Sequence, residues 1–211
     1  MTIRLTRAPV TMAIMIVIVI VFGIEIAKNA FEDGNIIVSL GAIIPGIFER
    51  HDYWRLVTSM FLHAGYLHVG LNLWAIYQLG MLYEIMFGSL RFALIYFATG
   101  IAASIASALH VEGASVGASG AIFGILGAFI FSVRRSPQWR HEKWTSNLVN
   151  QLVFWAVLNL VIGHLIPVID NYAHIGGLVS GLILGFLPHR VPPPPPSQVV
   201  IEAQSQQGGP A

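Results

Sequence analysis

Long apolar runs separated by short polar segments are the feature that most limits how this chain can fold. Six runs can be marked, at residues 9–27, 66–86, 92–111, 119–133, 148–167 and 172–187. Each is near the roughly 20 residues that an α-helix needs to cross the hydrocarbon core of a bilayer, although the fourth and sixth are short. The predicted fold class is an all-α polytopic membrane protein with six transmembrane helices.

Composition agrees with a membrane protein and excludes several other classes. Charged residues make up 10% of the 211-residue chain, against about 25% in soluble domains. The net charge of +1, with no basic patch beyond short loops, argues against nucleic-acid binding. The chain has no cysteine, which excludes disulfides and thiolate metal sites. We expect one membrane domain over residues 1–190.

The segments outside the apolar runs have their own character. The first run follows Arg4 and Arg7, but it is longer than the 7–15 apolar residues of a signal peptide, so we interpret it as a retained transmembrane helix. Residues 31–58 mix charged and aromatic side chains, and Gly41 and Pro45 interrupt them, which favours a loop lying in the membrane interface. The Pro-rich residues 191–211 predict a disordered tail.

Lysine and arginine predict the orientation of the chain, since they concentrate on the cytoplasmic side of a membrane. With six spans, one side would hold eight of them: Arg4, Arg7, Arg91, Arg134, Arg135, Arg140, Lys143 and Arg190. The other side would hold three: Lys28, Arg50 and Arg55. Both termini are therefore predicted to be cytoplasmic.

Polar side chains inside the apolar runs are costly and mark function by default. His68 and Asn72 lie near the start of the second run, Ser119 begins the fourth, and His174 lies near the start of the sixth. Runs two, four and six all cross from the outer face inward in the predicted topology. These groups, which are distant in sequence, should therefore reach the same depth below the outer surface.

Glycine spacing predicts which runs touch. Gly120 and Gly124 are separated by one helical turn, and so are Gly177 and Gly181. Such small-residue faces let transmembrane helices approach closely. If the two faces meet, Ser119 and His174 come within hydrogen-bond reach and form a nucleophile and its base. No carboxylate near them on these runs could orient the imidazole, which favours a dyad over a triad.

Further groups could serve acyl transfer, which needs donors for a developing oxyanion. At a helix start, the Ser119 N–H lacks an intrahelical acceptor, and His68 and Asn72 share one helix face and could add side-chain donors. We expect Gly117 to belong to the same oxyanion-binding group. Phe123, one turn after Ser119, could pack under the His174 ring.

Each residue also has a simpler interpretation. Ser119 alone is more typical of a helix N-cap, and Asn72 alone of an interhelical hydrogen bond. His68 could be an interfacial histidine, and the glycine pairs could serve packing only. For other polar residues, structural or interfacial roles are expected: His51, His63, His110, His141, His164, Trp155 and Asn159. The simpler interpretations do not predict one shared depth, which is why the combination favours a site.

Several motifs resemble those of the rhomboid family of intramembrane serine proteases. Gly117-Ala118-Ser119-Gly120 with Phe123 resembles its GxSG motif, and His68 with Asn72 resembles its HxxxN motif. The stretch from Ala173-His174 to Gly177 and Gly181 resembles AHxxGxxxG, and Trp54-Arg55 resembles the WR pair of the first loop. The match covers about residues 43–187, with the motifs in order on the predicted runs.

The resemblance implies a rhomboid-like six-helix bundle of the minimal bacterial type in the cell inner (plasma) membrane. It implies that transmembrane segments of other proteins are cleaved, with Ser119 as nucleophile and His174 as base. His68, Asn72 and the Ser119 N–H would form the oxyanion hole, and Trp155 and Asn159 would lie near a lateral gate. No metal or cofactor is expected. The lipid bilayer and transmembrane substrates are the expected partners, and the oligomeric state is left open.

Two other functions are compatible with parts of the sequence. A rhomboid-like protein without protease activity could bind transmembrane segments, and the joint presence of Ser119 and His174 argues against it. A small transporter would need polar residues continuing toward the cytoplasmic half of the runs. The fourth run continues from Ala121 to Leu126 without such residues.

Overall fold

The computed structural model describes residues 8–137, 143–166 and 168–187. Several residues used above fall outside these ranges: Arg4, Arg7, Arg140, His141, Arg190 and the tail 191–211. The described part of the chain is helical, and its one β-type contact is an isolated bridge between Ile43 and Ser115. An all-helical fold is therefore confirmed for these ranges.

Nine α-helices occur within the described ranges: α1 (Pro9–Ala27), α2 (Gly34–Leu40), α3 (Arg55–Thr58), α4 (Tyr66–Ala75), α5 (Met81–Phe87), α6 (Ser89–Ala108), α7 (Ser119–Arg135), α8 (Lys143–Leu165) and α9 (Asn171–Leu184). A 3-10 turn (Ser59–Phe61) follows α3, and a π-helical turn (Ile76–Gly80) joins α4 to α5. The second predicted run is therefore one helical path with a π turn in its middle.

Three helical stretches of the described chain are long and apolar enough to cross a membrane: Pro9–Ala27, Ser89–Ala108 and Thr145–Leu165. The helices that contain Ser119 and His174 are shorter, with 17 and 14 residues. A multi-pass membrane protein is supported, while the count of six spans stays a prediction.

Several helix boundaries differ from the predicted ones. The third run is predicted at 92–111, but α6 is Ser89–Ala108, because Gly88, with φ +88°, separates it from α5. The fifth run, predicted at 148–167, overlaps a helix that begins earlier, at Lys143, and ends at Leu165. The sixth, placed at 172–187, is Asn171–Leu184, with Asp170 as its N-cap. Gly88 and the Asp170 cap set the starts of α6 and α9. The length of an apolar run does not indicate where such a boundary falls.

The centre of the molecule is α7, which packs against α6 and α9, and these two helices also pack against each other. Twelve of its seventeen residues are buried, against eight of twenty in α6. Small residues make this close packing possible: a Cβ on Gly124 would collide with Thr99 of α6, and one on Gly181 would collide with the Gly124 carbonyl. The nucleophile candidate therefore begins a helix that is mostly buried.

A buried arginine, Arg55, holds the segment between α1 and α4 together through hydrogen bonds. The Arg55 guanidinium donates to the carbonyl oxygens of Val38 and Ala42 at 2.6 and 3.0 Å and to the Asp52 carboxylate at 3.2 Å. Desolvation raises the pKa of Asp52, but hydrogen bonding and the charge of Arg55 outweigh it, so the pKa lies below its ordinary value. Gly41, with φ +117°, ends α2 in the left-handed conformation. The predicted break at Gly41 is thus a helix C-cap.

Helix α1 is bonded to α5 through Glu84, which is buried. Its carboxylate accepts hydrogen bonds from the Val10 N–H at 3.0 Å, the Thr11 N–H at 2.7 Å and the Thr11 hydroxyl at 2.6 Å. The first turn of a helix has N–H groups without intrahelical acceptors, and Glu84 supplies two of them with an acceptor. This contact fixes one end of α1.

Candidate functional site

The loop before α7 positions Ser119 through backbone contacts. Ser115 exchanges two 2.9 Å backbone hydrogen bonds with Ile43, and the Gly117 N–H donates to the Ser59 carbonyl at 2.9 Å. Gly117 has φ +133°, a conformation that favours glycine. The loop is therefore hydrogen-bonded to Ile43 and Ser59 on one side and enters α7 on the other.

Ser119 is the first residue of α7 and not its N-cap. The N-cap is Ala118, and no side chain caps this helix. The expectation of a serine cap is wrong by one residue, because the turn at Gly117 brings the chain into helical conformation at Ala118. The Ser119 hydroxyl is consequently left for other partners, and its N–H lies in the first turn at the positive end of the helix dipole.

His174 lies in the first turns of α9, and Asp170 is the N-cap of this helix. The Asp170 carboxylate accepts from the Ala173 N–H at 3.0 Å as the N-cap. It also accepts from the Ser115 hydroxyl at 2.6 Å and from the Ser107 hydroxyl. One side chain thus ties the start of α9 to the end of α6 and to the loop before Ser119.

Ser119 and His174 are in hydrogen-bond contact. The distance between Ser119 Oγ and His174 Nε2 is 2.9 Å. The Phe123 ring lies parallel to the His174 ring, with centroids 4.4 Å apart and an interplanar angle of 7°. His174 Nδ1 has no hydrogen-bond partner in the described part of the chain. Packing therefore holds the imidazole plane, and no carboxylate of the described residues contacts its far nitrogen.

The two glycine faces hold α7 and α9 together beside this contact. A Cβ on Gly177 would collide with the Gly120 carbonyl, just as one on Gly181 would collide with the Gly124 carbonyl. A Cβ on Gly120 would in turn clash with Ala103 of α6. The backbone of the residue after Ser119 therefore lies against the backbone one turn after His174.

His68 lies on the other side of Ser119. A Cβ built on Gly117 would be 2.8 Å from His68 Nε2 and 3.7 Å from Ser119 Oγ. The missing side chain of Gly117 thus leaves a space between these two atoms. Asn72 is buried one turn after His68, and its amide donates to the His68 carbonyl at 2.9 Å. One amide hydrogen of Asn72 is therefore used within α4, and a second remains.

The other histidines, together with Trp155 and Asn159, have varied surroundings. His63 is buried and packs edge-on against His68, with ring centroids 5.1 Å apart. His110 stacks on Tyr172 at 4.1 Å. On α8, Trp155 and Asn159 are exposed, and the Asn159 amide donates to the Trp155 carbonyl at 2.8 Å. His51 and His164 are exposed as well.

A small cavity of about 20 Å³ lies beside Gly117 and Gly120, the residues that flank the Ala118–Ser119 pair. Its lining includes the hydroxyl-bearing residues Ser59, Ser104, Ser107 and Ser115 together with Gly117. A cavity of this size and polarity suffices for a water molecule. Among the described residues, no group of three or more His, Asp or Glu could hold a metal ion.

Sequence reasoning missed Asp170 and the serines around it. Asp170 precedes the helical residues 171–184, and an aspartate in that position is a recognisable helix N-cap signal. Its contacts to Ser107 and Ser115 depend on how the loop folds, and no local pattern indicates them.

The described helices and the buried polar contact define a multi-pass, all-helical membrane protein. The chain belongs to the rhomboid family, since the Rhomboid domain model matches residues 50–191. RHOMBOID-like protein 6, mitochondrial, of Arabidopsis thaliana is 39% identical over 142 residues, covering 67% of this chain and 45% of that protein. Rhomboid protease GluP of Bacillus subtilis is 37% identical over 145 residues, covering 69% of this chain and 28% of that protein.

The family also contains a relative described as inactive. Inactive RHOMBOID-like protein 8 of Arabidopsis thaliana is 37% identical over 133 residues, covering 63% of this chain and 37% of that protein. The chain matches less than half the length of each of these three relatives. Membership therefore leaves activity to be argued from the residues of this chain.

Proposed function

We propose that this chain is an intramembrane serine endopeptidase that cleaves transmembrane segments of other proteins with a Ser119–His174 dyad. The 2.9 Å contact between Ser119 Oγ and His174 Nε2 carries the proposal. A serine hydroxyl that donates to a neutral imidazole is arranged for nucleophilic catalysis. Rhomboid protease GluP, a relative named for this activity, adds support.

The first half of the reaction is acyl transfer to the serine. Ser119 Oγ attacks the scissile carbonyl carbon while its proton passes to His174 Nε2. The carbonyl oxygen becomes an oxyanion, for which the Ser119 N–H, His68 Nε2 and the Asn72 amide are the proposed donors. The space left by Gly117, next to both His68 Nε2 and Ser119 Oγ, suits that oxygen. His174 then gives its proton to the leaving amine as the C–N bond breaks.

The second half releases the acyl group by hydrolysis. A water molecule gives a proton to His174 Nε2 and attacks the acyl carbon, and the proton returns to Ser119 Oγ as the ester bond breaks. The serine-lined cavity behind Gly117 can hold a water close to this position. Packing of Phe123 on His174 keeps the imidazole plane fixed through both halves. No metal or cofactor enters these steps.

The proposal includes six membrane spans with both termini on the cytoplasmic side of the plasma membrane. Of the described cations, Arg91, Arg134, Arg135 and Lys143 fall on the proposed cytoplasmic side. Since the chain has no cysteine, single cysteines are unique reporters of sidedness. In intact cells, an impermeant maleimide should label Lys28→Cys and should leave Arg134→Cys, at another exposed position, unlabelled until the membrane is opened. The reverse labelling would contradict this orientation.

A binder of transmembrane segments without protease activity is the second candidate, and the inactive relative is the observation that favours it. A transporter has less support, because Ala121, Ile122, Phe123 and Ile125 are buried apolar side chains directly below Ser119.

Cleavage of a model transmembrane substrate separates protease from binder. Purified wild type should cleave it, whereas Ser119→Ala and His174→Ala should bind it without turnover. His164→Ala, at an exposed histidine of α8, is the matched control and should cleave normally. Equal cleavage by wild type and Ser119→Ala would refute the protease proposal, and binding without cleavage by wild type would favour the binder.

A further inference from the structure

Glu25 is a buried carboxyl group near the end of α1 that the proposed chemistry does not use. It is 0% exposed, and its Oε1 accepts a hydrogen bond from the His63 backbone N–H at 2.8 Å. Three residues earlier, Phe22 packs edge-on against Tyr66, the first residue of α4, with ring centroids 5.4 Å apart. A buried ionisable group inside an apolar helix is costly, so its specific contact calls for an explanation.

The backbone that Glu25 holds is the short connection leading into α4. His63 is 0% exposed, and its ring meets the His68 ring edge-on, with centroids 5.1 Å apart and an interplanar angle of 64°. The next residue, Ala64, donates its N–H to His68 Nδ1 at 3.3 Å. His68 is thus contacted by His63, whose backbone N–H is bound by Glu25, and by the residue that follows it.

The Ala64 contact determines which nitrogen of His68 carries the proton. A backbone N–H can only donate, so His68 Nδ1 must accept and cannot be protonated. The ring is then neutral, with its single N–H at Nε2. Nε2 is the nitrogen that lies 2.8 Å from the vacant Cβ position of Gly117, on the side of Ser119. The donor is therefore directed into the space proposed for the carbonyl oxygen of the substrate.

We propose that Glu25 is a positioning residue that acts on the reaction through His68. Its carboxyl group holds the His63 N–H, this fixes the Ala64 N–H against His68 Nδ1, and the Nε2 proton is thereby kept pointing toward the oxyanion. The catalytic part of this inference rests on the protease function proposed above. The hydrogen-bonded chain from Glu25 to His68 can be tested without it.

Glu84 offers a comparison, because it makes a similar bond at the other end of α1. Its carboxylate binds Val10 and Thr11 and has no contact with the His63–His68 connection. If Glu25 served only to anchor α1, loss of the Glu84 contact should affect turnover in the same way. Thr11→Val, which removes one of these hydrogen bonds, is therefore the matched control.

The kinetic test is a double-mutant cycle with His68. Glu25→Leu should lower kcat about 10-fold with KM unchanged, which is below the 10²–10³-fold effect of removing a whole oxyanion donor. Glu25→Gln, which keeps an acceptor for the His63 N–H, should restore most of kcat, and Thr11→Val should not change it. In a His68→Ala background, Glu25→Leu should cause no further loss, because residues that act through one another are not additive. An equal loss in both backgrounds, or an equal loss in Thr11→Val, would overturn the proposal.

A spectroscopic test avoids cleavage, and its first measurement needs no substitution at Glu25. In ¹⁵N-histidine-labelled Ser119→Ala protein, the His68 resonance should show an unprotonated Nδ1 and a protonated Nε2, and Glu25→Leu should admit the other tautomer. A protonated Nδ1 in the parent would overturn the proposal without any substitution at Glu25. If the wild type fails to cleave while this tautomer is observed, the protease function falls and the Glu25–His68 connection stands.

Discussion

Gly177→Ala should disable the site by separating two helices. Gly177 is one turn after His174, and a Cβ at this position would collide with the Gly120 carbonyl, next to Ser119. The obstacle is backbone and cannot rotate away, unlike the end of a flexible side chain. Relief therefore requires α7 and α9 to move apart at the depth of the Ser119–His174 contact.

The structure sets the size of the effect. Cβ atoms essentially never come closer than 3.0 Å to another heavy atom, so the two backbones must separate by about 1 Å. The 2.9 Å contact between Ser119 Oγ and His174 Nε2 would then lengthen to about 4 Å, beyond hydrogen-bond range. A misplacement of this size costs on the order of 10²-fold in rate. Overpacking should also lower the free energy of unfolding by about 1–3 kcal/mol.

The assay is cleavage of a model transmembrane substrate, with thermal unfolding measured in the same detergent. Gly23→Ala in α1 is the matched control, since the added Cβ would meet no heavy atom within 4 Å apart from its chain neighbours and the backbone of its own helix. It should leave kcat unchanged and stabilise the helix by about 0.5–1 kcal/mol. Full activity in Gly177→Ala would refute the argument that glycine contact sets the dyad distance.

Three further predictions concern other contacts. Phe123→Leu should lower kcat about 3- to 10-fold, because an aromatic pair is worth about 0.5–1.5 kcal/mol, and unchanged kcat would contradict an orienting role. Glu84→Leu should lower the free energy of unfolding by about 1–3 kcal/mol for each buried donor left unpaired, which a lower thermal midpoint would show. Cleavage at temperatures well below that midpoint should stay normal. Because hydrogen bonding to Arg55 lowers the pKa of Asp52 from 3.8, this stabilisation should be complete above pH 3.8 and fade as the pH falls below it. The difference in thermal midpoint between wild type and Asp52→Asn should therefore shrink as the pH is lowered below 3.8, and a constant difference would contradict it.

Helix type and the meeting of distant polar groups were accessible from the sequence, because they follow from periodic features. One-turn glycine spacing predicted that α7 and α9 would touch, and Gly177 does lie against Gly120. The spacing of His68 and Asn72 likewise put them on one face of α4, where both are found. The catalytic roles assigned to these residues remain predictions.

Contacts made by loops and turns could not be predicted in the same way. Asp170 accepts from Ser107 and Ser115 only because the loop before α7 returns to the start of α9. Glu25 reaches His63 across 38 residues, through a non-helical connection with no periodic pattern. The π turn at Ile76–Gly80 inserts into an apolar run that reads as one helix. In each case tertiary contacts, and not local preference, determine the geometry.

Site-specific labelling by a fluorophosphonate tests the central claim, that His174 activates Ser119. Mass spectrometry of the labelled protein should place the phosphonyl group on the Ser119 peptide in wild type. The label should be lost in His174→Ala and retained in His164→Ala. Labelling of a different serine, or undiminished labelling of Ser119 in His174→Ala, would contradict the account.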